Sequence, residues 1–226
     1  MASNNNSNVI LYKNFDASAL TCGELTKNKA GGNQVALMYN GNRQRIVLQT
    51  PKLAAPFGVS EYVPDNNIGP IKYSLDASFK GMDSDKRLAA FYETVRQIDA
   101  RMIDLAVENS PVWFGKKMSK EVVEELYRPL IKASKQPEKY APTIKFKIRN
   151  DPSQSIEAFG PDRERFDMSD FQSGSTVKCI VDFAPVWFVN KQFGLTMTLV
   201  QLEVVSLPVG KLQGFAFQDD SDSEDF

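Results

Sequence analysis

The sequence predicts an α+β protein that is mainly β: a small, strongly curved barrel of strands with a two-helix insertion and disordered ends. Three observations support this class. Apolar and polar residues alternate in several short runs, which is the period of a half-buried strand. Between these runs, residues 84–135 change to the spacing of helices. Strands then return without the regular strand–helix alternation that a parallel sheet requires.

The first strands are predicted on either side of a tight turn at residues 40–42. Residues 35–50 contain two short apolar runs around Asn-Gly-Asn, and Asn-Gly is a strong signal for a β-hairpin. In the second run, Arg43 and Arg45 would share one face of the strand. The prolines of residues 51–70 then predict a long ordered loop.

Further strands are predicted where apolar residues recur at every second position. Residues 71–79 alternate most regularly in the first half of the chain, with Ile71 and Phe79 at the ends of the apolar face. Residues 143–149 alternate in the same way, and a short strand is predicted near residues 156–159.

Two long strands complete the prediction at residues 176–189 and 193–205, joined by the turn Asn190-Lys191-Gln192. In the second of them, the apolar positions change from odd to even numbers near residues 199–200. A β-bulge produces such a change of phase, and strongly bent barrels use bulges for their curvature.

Helical spacing marks the middle of the chain. Apolar residues at intervals of three and four predict one long helix, with Ser84 or Asp85 as its cap and Asn109-Ser110-Pro111 as its end. A second helix is predicted from about Ser119 to Arg128, where Pro129 follows. The apolar stripe of the long helix consists of Leu88, Phe91, Val95, Ile98, Met102 and Leu105.

Composition excludes several kinds of chemistry. Histidine is absent, so Ser-His-Asp and Cys-His nucleophilic sites, His-ligated zinc and His general bases are excluded. Cys22 and Cys179 are the only cysteines, which excludes a four-cysteine zinc site and a CxxC redox pair. We interpret them as buried thiols of a reduced intracellular protein, although a disulfide between them stays open. No enzymatic activity, metal or cofactor is predicted.

Charge is distributed unevenly along the chain. The formal net charge is −1, from 27 basic and 28 acidic residues, but five of the acids lie in the last eight residues. The body is therefore mildly basic. We expect a flexible arm at 1–8, a single domain at 9–218 with the helical insertion at about 84–135, and an acidic tail at 219–226.

Three stretches of the body, residues 25–60, 111–120 and 139–150, contain basic residues and no acid. If they meet in space, they form a positive trough. In the third stretch, Lys145, Lys147 and Arg149 alternate along one strand, at about the phosphate spacing of an extended single strand. No acid lies within that strand, so its cations cannot form an ion pair within the strand itself.

Aromatic residues accompany these basic residues, and rings beside lysines are typical of surfaces on which unpaired bases stack. Trp187 and Phe188 are neighbours on a predicted strand, so one of them should be exposed. Trp113 is interpreted as a core residue. The predicted nucleic-acid contacts are Arg43, Arg45, Lys52, Lys116, Lys117, Lys145, Lys147, Arg149, Trp187, Phe188, Lys191 and Phe193.

The acidic tail ends in an aromatic residue, which a solubility tag does not need. We expect the terminal ring to dock on another protein, and the acids to compete with an anionic strand for the positive trough. The residues of this predicted partner-docking tail are Asp219, Asp220, Asp222, Glu224, Asp225 and Phe226.

Three segments of the body, LQTPKLAAPFGVSEY, FYETVRQIDARMIDLAVENSPVWFGKK and FAPVWFVNKQFGLTMTLVQLEVV, resemble single-stranded DNA-binding proteins of nucleocytoplasmic large DNA viruses of the algal and protist type. The resemblance spans about residues 40–207. The tail resembles those of bacterial and phage single-stranded DNA-binding proteins, which dock replication proteins. Both resemblances imply an OB-type fold, sequence-independent DNA binding, and roles in replication, recombination and repair.

The sequence therefore predicts a non-enzymatic protein that protects and organises unpaired DNA at a viral replication site, in the host nucleus or a cytoplasmic virus factory. Its expected partners are single-stranded DNA and, through the tail, a polymerase, helicase or primase, with no membrane; a homo-oligomer stays open. Two alternatives also stay open: a virion or scaffold protein whose basic patches serve assembly, and a metal-dependent nuclease, against which the lack of an acid cluster argues.

Overall fold

The computed structural model describes residues 9–64, 69–149 and 156–208. In this part of the chain the strands are β1 Val9–Leu11, β2 Leu20–Lys27, β3 Asn33–Tyr39, β4 Val47–Gln49, β5 Leu53–Ala55, β6 Val59–Tyr62, β7 Lys72–Ser78, β8 Tyr127–Arg128, β9 Ile131–Lys132, β10 Thr143–Ile148, β11 Glu157–Phe159, β12 Ser175–Phe183, β13 Val186–Val189, β14 Gln192–Gly194 and β15 Met197–Ser206. The α-helices are α1 Lys86–Glu108, α2 Ser110–Trp113 and α3 Lys120–Leu126.

Five strands close into a barrel. β5 pairs with β7, β7 with β10, β10 with β15, β15 with β12, and β12 returns to β5. Of these pairings, β10–β15 is parallel and the others are antiparallel. A closed five-stranded barrel of this kind is OB-like. The predicted class, an α+β protein that is mainly β with a small curved barrel, is confirmed.

The predicted bulge near residues 199–200 is also confirmed. Along β12 and β15 the pairing passes from Ile180–Gln201 directly to Val181–Leu199, so Val200 has no partner on β12. The extra residue bends β15 and increases its twist. This bend allows β15 to pair with both β12 and β10, and the barrel closes there.

A second sheet has the order β2-β3-β13-β14-β8. It shows that the hairpin predicted at 35–50 is wrong, because β3 pairs with β2 and β13, whereas β4 pairs with β12 and β1. The turn itself forms, with φ of 51° at Asn40 and 71° at Gly41. The chain then leaves this sheet, so Arg43 and Arg45 do not lie on a common strand.

Two other predictions are corrected by long-range pairing. The segment 51–70 is not only a loop, because it contains β5 and β6, and β6 pairs with β7. The long strands predicted at 176–189 and 193–205 are each divided into two, β12 with β13 and β14 with β15. Their outer parts belong to the barrel, and their inner parts form a hairpin of the second sheet.

The helical insertion agrees closely with the prediction made from the spacing of its apolar residues. Asp85 caps α1 by accepting hydrogen bonds from the backbone N–H groups of Arg87 and Leu88. Every residue of the predicted apolar stripe is buried. α3 ends at Leu126, two residues earlier than predicted, because Tyr127–Arg128 pairs with β14. The four-residue α2 was not predicted.

One core of buried side chains joins the barrel, the second sheet and α1. Phe79, directly after β7, contacts Phe91 of α1 with ring centroids 5.7 Å apart. Ile71, predicted to face inward, is instead 39% exposed. Both cysteines are free thiols, but only Cys179 is fully buried, since Cys22 is half-buried.

Candidate nucleic-acid interface

A groove runs over the outer face of β7 and β10. Ile144, Phe146 and Ile148 point into the barrel, so the alternate residues Lys145 and Lys147 point outward into this groove. The cavity has a volume of about 520 Å³. We call it the basic groove, lined by Tyr62, Lys72, Tyr73, Ser74, Arg128, Pro129, Leu130, Lys145, Lys147, Trp187, Leu195 and Thr196.

Four cations line the basic groove, and none of its lining residues is acidic. Lys145 does have a partner, because its Nζ lies 3.1 Å from Oδ2 of Asp76 on the neighbouring strand. The strand itself supplies no acid, as predicted, and the partner of Lys145 comes from the neighbouring strand β7. Within the described residues, Lys72, Arg128 and Lys147 form no ion pair, so their positive charge faces the groove uncompensated.

Aromatic rings stand beside these cations. Tyr62 is 54% exposed, and Nζ of Lys72 lies 5.7 Å from the centroid of its ring. Tyr73 and Trp187 line the groove and are half-buried. An exposed ring next to a lysine offers a stacking surface for a base and a contact for its phosphate.

The wall opposite the barrel is held by strand pairing. Trp187, Gly194 and Arg128 are consecutive partners across β13, β14 and β8, so the side chains of Trp187 and Arg128 project from the same face of the second sheet. Nε of Arg128 donates a hydrogen bond of 2.8 Å to Oε1 of Gln192. This bond directs the guanidinium toward the turn of the β13–β14 hairpin.

A carboxylate of α1 anchors the same wall. Oδ1 of Asp99 accepts hydrogen bonds from the hydroxyl of Tyr127, at 2.6 Å, and from the backbone N–H of Leu130, at 3.1 Å. Burial raises the pKa of Asp99, although these hydrogen bonds act in the opposite direction. Asp99 thus ties the helical insertion to the segment that carries Arg128 and Pro129 into the groove.

Arg45 and Arg149 meet at a different place. Both contact Oδ2 of Asp182, which is buried: Nε of Arg45 donates at 2.6 Å and Nη2 of Arg149 at 3.0 Å. The guanidinium groups remain about half exposed, yet they do not line the basic groove. The structure therefore joins these two predicted residues in an ion-pair cluster that balances a buried charge.

A second cavity of about 530 Å³ lies at the turn of the β13–β14 hairpin and receives several other predicted residues. We call it the tip cavity; its lining includes Trp113, Phe114, Lys116, Phe188, Asn190, Lys191 and Gln192. Trp113 is buried, as interpreted from the sequence. Lys117, Arg43 and Lys52 are exposed but line neither the basic groove nor the tip cavity.

Phe193 corrects the prediction that its ring contacts bases. It has 0% exposure and is enclosed by other rings, with centroids 5.1 Å away at Tyr127 and 6.2 Å away at Trp113. Trp187 and Phe188, by contrast, are both half-buried, the first in the basic groove and the second in the tip cavity. The sequence predicts that one of these two rings is buried and the other exposed, whereas in the structure both are partly exposed.

Four basic or aromatic residues of the basic groove were missed from the sequence. Lys72 and Tyr73 lie in the run of alternating residues that predicted β7, and a basic residue beside a ring there was the available signal. The sequence predicts a loop at Tyr62 and the end of a helix at Arg128. Long-range pairing brings both to the groove, and no local pattern indicates it.

Other features bear on the remaining expectations. The described residues contain no group of three Cys, Asp or Glu side chains arranged to hold a metal ion. Among them, no helix has the length and apolar character needed to span a membrane. The predicted arm at 1–8 and the predicted tail, including Asp219 and Phe226, lie outside the described residues.

The chain is similar to solved structures of phage proteins, at low sequence identity. The single-stranded DNA-binding protein from bacteriophage Enc34 has 15% identity and a TM-score of 0.45, over 90% of this chain and 100% of that one. A structure of the Enc34 protein in complex with single-stranded DNA has a TM-score of 0.47 at 14% identity, over 84% of this chain and 98% of that one. The structure of gp2.5, a single-stranded DNA-binding protein encoded by bacteriophage T7, has 14% identity and a TM-score of 0.49, over 74% of this chain and 90% of that one.

Sequence comparisons are more limited. No curated protein matches this chain. One family model, described as a family of unknown function (DUF5871), matches residues 88–219, from the first turn of α1 through β15 and beyond. Because this match covers more than half of the sequence, the chain belongs to the DUF5871 family.

Proposed function

We propose that this protein binds single-stranded DNA without reading its sequence, and that the basic groove is the binding surface. The observation that carries the proposal is the composition of the groove: three cations without an acidic partner among the described residues stand beside exposed and half-exposed rings. Cations that track the backbone and rings that stack on bases are the two components of sequence-independent single-strand binding.

The groove favours unpaired over paired bases on physical grounds. A ring such as Tyr62 can stack only on a base whose face is accessible, and in a duplex both faces of the base are covered by its neighbours. Lys145 and Lys147 lie two residues apart on one strand, about 7 Å from each other, which suits successive phosphates of an extended strand. Every base has a π-face, so this arrangement does not discriminate among sequences.

In the cell, such binding would keep unpaired DNA extended and shield it from nucleases during viral replication, recombination and repair. We place the protein at an intracellular replication site. The tail supplies regulation in this proposal: its acids, among them Asp219 and Asp225, compete with DNA for the groove, and Phe226 docks on a replication protein once DNA has displaced the tail.

The groove is tested by titrating oligo-dT into the protein while following tryptophan fluorescence at several salt concentrations. Each phosphate contact contributes about −0.7 to the slope of log K against log salt for single strands. Lys147→Ala combined with Lys72→Ala should therefore weaken binding of any sequence and flatten the slope by roughly 1.4. An unchanged slope would remove the basic groove from the binding site.

Lys86→Ala is the matched control, because Lys86 is exposed and lies at the start of α1. Lys72 begins β7, whereas α1 follows the opposite end of that strand. It should leave the slope close to that of the wild type. Duplex DNA of the same length provides the second comparison. Equal affinity for duplex and single strand would instead favour an assembly protein with basic patches, and magnesium-stimulated cleavage would favour a nuclease.

The tail is tested separately by deleting residues 219–226. If its acids compete with DNA, the truncated protein binds oligo-dT more tightly, and the gain shrinks as salt rises. Pull-down of replication proteins by the full chain, but not by the truncated one, would support docking through Phe226. Weaker DNA binding after truncation would contradict the competition.

A further inference from the structure

Two tight turns of this protein share a backbone conformation but differ in sequence. At Asn40-Gly41 the φ angles are 51° and 71°, and at Asn190-Lys191 they are 50° and 65°. Positive φ at both central positions strongly favours glycine at the second, since a side chain there is strained. The first turn follows this rule, whereas the turn of the β13–β14 hairpin carries a lysine. The conformation alone does not account for Lys191.

Lys191 lines the tip cavity, whose composition suits an anion joined to an aromatic group. Lys116 also lines the cavity and directly follows Gly115, which has a φ of 73°. The rings of Phe114 and Phe188 form part of the lining, with centroids 6.0 Å apart. No acidic residue contributes to the lining.

The tip cavity and the basic groove lie on opposite faces of the β13–β14 hairpin and are linked by one hydrogen bond. Gln192 lines the tip cavity, and its side chain accepts the hydrogen bond of Arg128, which lines the groove. Trp187 and Phe188 are adjacent on β13, one in each cavity. A strand that leaves the groove past Arg128 would have to pass around the hairpin near Gln192 to reach the tip cavity.

We propose that the tip cavity is a second nucleobase site on the same bound strand. A base stacks on Phe188 and Phe114, and the phosphates beside it contact Lys191 and Lys116. This inference rests on the proposed function, because the strand is the one that occupies the basic groove. It adds a specific consequence, namely that Lys191 contributes only to the binding of oligonucleotides long enough to reach past the hairpin.

Lys191→Gly is the decisive variant, because glycine relaxes the turn and should preserve or increase stability. We expect unchanged affinity for dT4, which the basic groove can hold alone. For dT16, we expect binding about fivefold weaker at 0.1 M salt and a slope flatter by about 0.7, the contribution of one phosphate contact. Lys116→Ala should show the same dependence on length, and Lys86→Ala should not.

Identical dT16 affinity and salt slope for Lys191→Gly and the wild type would overturn the tip-cavity site. The proposed function would survive that result if Lys147→Ala with Lys72→Ala still weakened binding of dT4 and dT16 alike. Failure of the wild type to bind either oligonucleotide would refute the proposed function itself. Photo-crosslinking with 5-iodouracil placed along dT16 gives an independent readout: adducts on Phe188 or Phe114 support the second site, and adducts confined to the groove residues contradict it.

Discussion

The indole ring of Trp187 lies directly against Gly194, its cross-strand partner in the β13–β14 hairpin. A Cβ atom at Gly194 would lie 2.7 Å from Cζ2 of Trp187 and 3.1 Å from the carbonyl oxygen of Arg128. Both distances are shorter than side-chain contacts normally allow. The absence of a side chain at this position therefore lets the ring and the β8 backbone form one continuous wall of the basic groove.

Gly194→Ala should disturb this wall. We expect a loss of about 1–3 kcal/mol in the free energy of unfolding, because the ring or the backbone must move to accommodate the methyl group. Displacement of Trp187 should also shift its emission and weaken oligo-dT binding. Gly23→Ala is the control, since its nearest contact would be at 3.6 Å. Equal urea midpoints for both variants and the wild type would show that the wall is not tightly packed.

Tyr62→Ala should weaken binding of single-stranded DNA. Stacking of one base contributes about 1–3 kcal/mol, which corresponds to a roughly five- to 150-fold change in the dissociation constant. Tyr62→Phe keeps the ring and should retain most of the affinity. Tyr140→Ala is the matched control, because Tyr140 is 63% exposed and does not line the groove. Fluorescence anisotropy of labelled dT16 measures all three; similar losses for Tyr62→Ala and Tyr140→Ala would argue against stacking on Tyr62.

Asp182→Asn should lower stability without lowering DNA affinity. The buried carboxylate holds Arg45 and Arg149, and the neutral amide replaces two charge-assisted hydrogen bonds by weaker ones, at a cost of about 1–3 kcal/mol. The variant also loses one negative charge, so electrostatic attraction to anionic DNA is not reduced. Asp83→Asn, at an exposed position, controls for the change in net charge. Reduced affinity with unchanged urea denaturation would indicate that the cluster serves DNA rather than the fold.

The stability of the protein should depend on pH through Asp99. Because burial raises the pKa of Asp99 in the folded state, the folded protein binds more protons at this site than the unfolded chain over the pH range just above the ordinary aspartate value. The contribution of Asp99 to the free energy of unfolding therefore falls as pH rises through that range.

Asp99→Asn removes this titration. As pH is raised from 4 toward 7, the melting temperature of the wild type should fall relative to that of Asp99→Asn. Circular dichroism in buffers of constant ionic strength measures both melting temperatures. A difference that does not change with pH, or that moves in favour of the wild type, would mean that the hydrogen bonds from Tyr127 and Leu130 outweigh the desolvation of the carboxylate.

Local patterns were sufficient wherever the structure depends on neighbouring residues. The spacing of the apolar stripe and the position of Asp85 define α1, because helical periodicity and capping involve residues within a few positions of each other. The change of phase near residues 199–200 identified the bulge for the same reason. Lys145 and Lys147 were placed correctly on an outward face by alternation alone.

The rest depends on partners that are distant in sequence. The Asn40-Gly41 turn forms, but Arg45 is held by Asp182, 137 residues away, and β4 pairs with β12 of the barrel instead of with β3. Arg128 reaches the groove through parallel pairing of β8 with β14. Phe193 lies beside a turn, where side chains are usually exposed, yet Trp113 of the helical insertion covers its ring. Such choices are decided by packing, which the local sequence does not specify.

The anchoring of β8 by Asp99 has an evolutionary consequence. One side of the basic groove is formed by the barrel and the other by a segment that Asp99 of the long helix anchors. Changes in the length or tilt of that helix would widen or narrow the basic groove while every barrel strand kept its register. The width of the basic groove can therefore evolve through the helical insertion alone, without a change in the barrel.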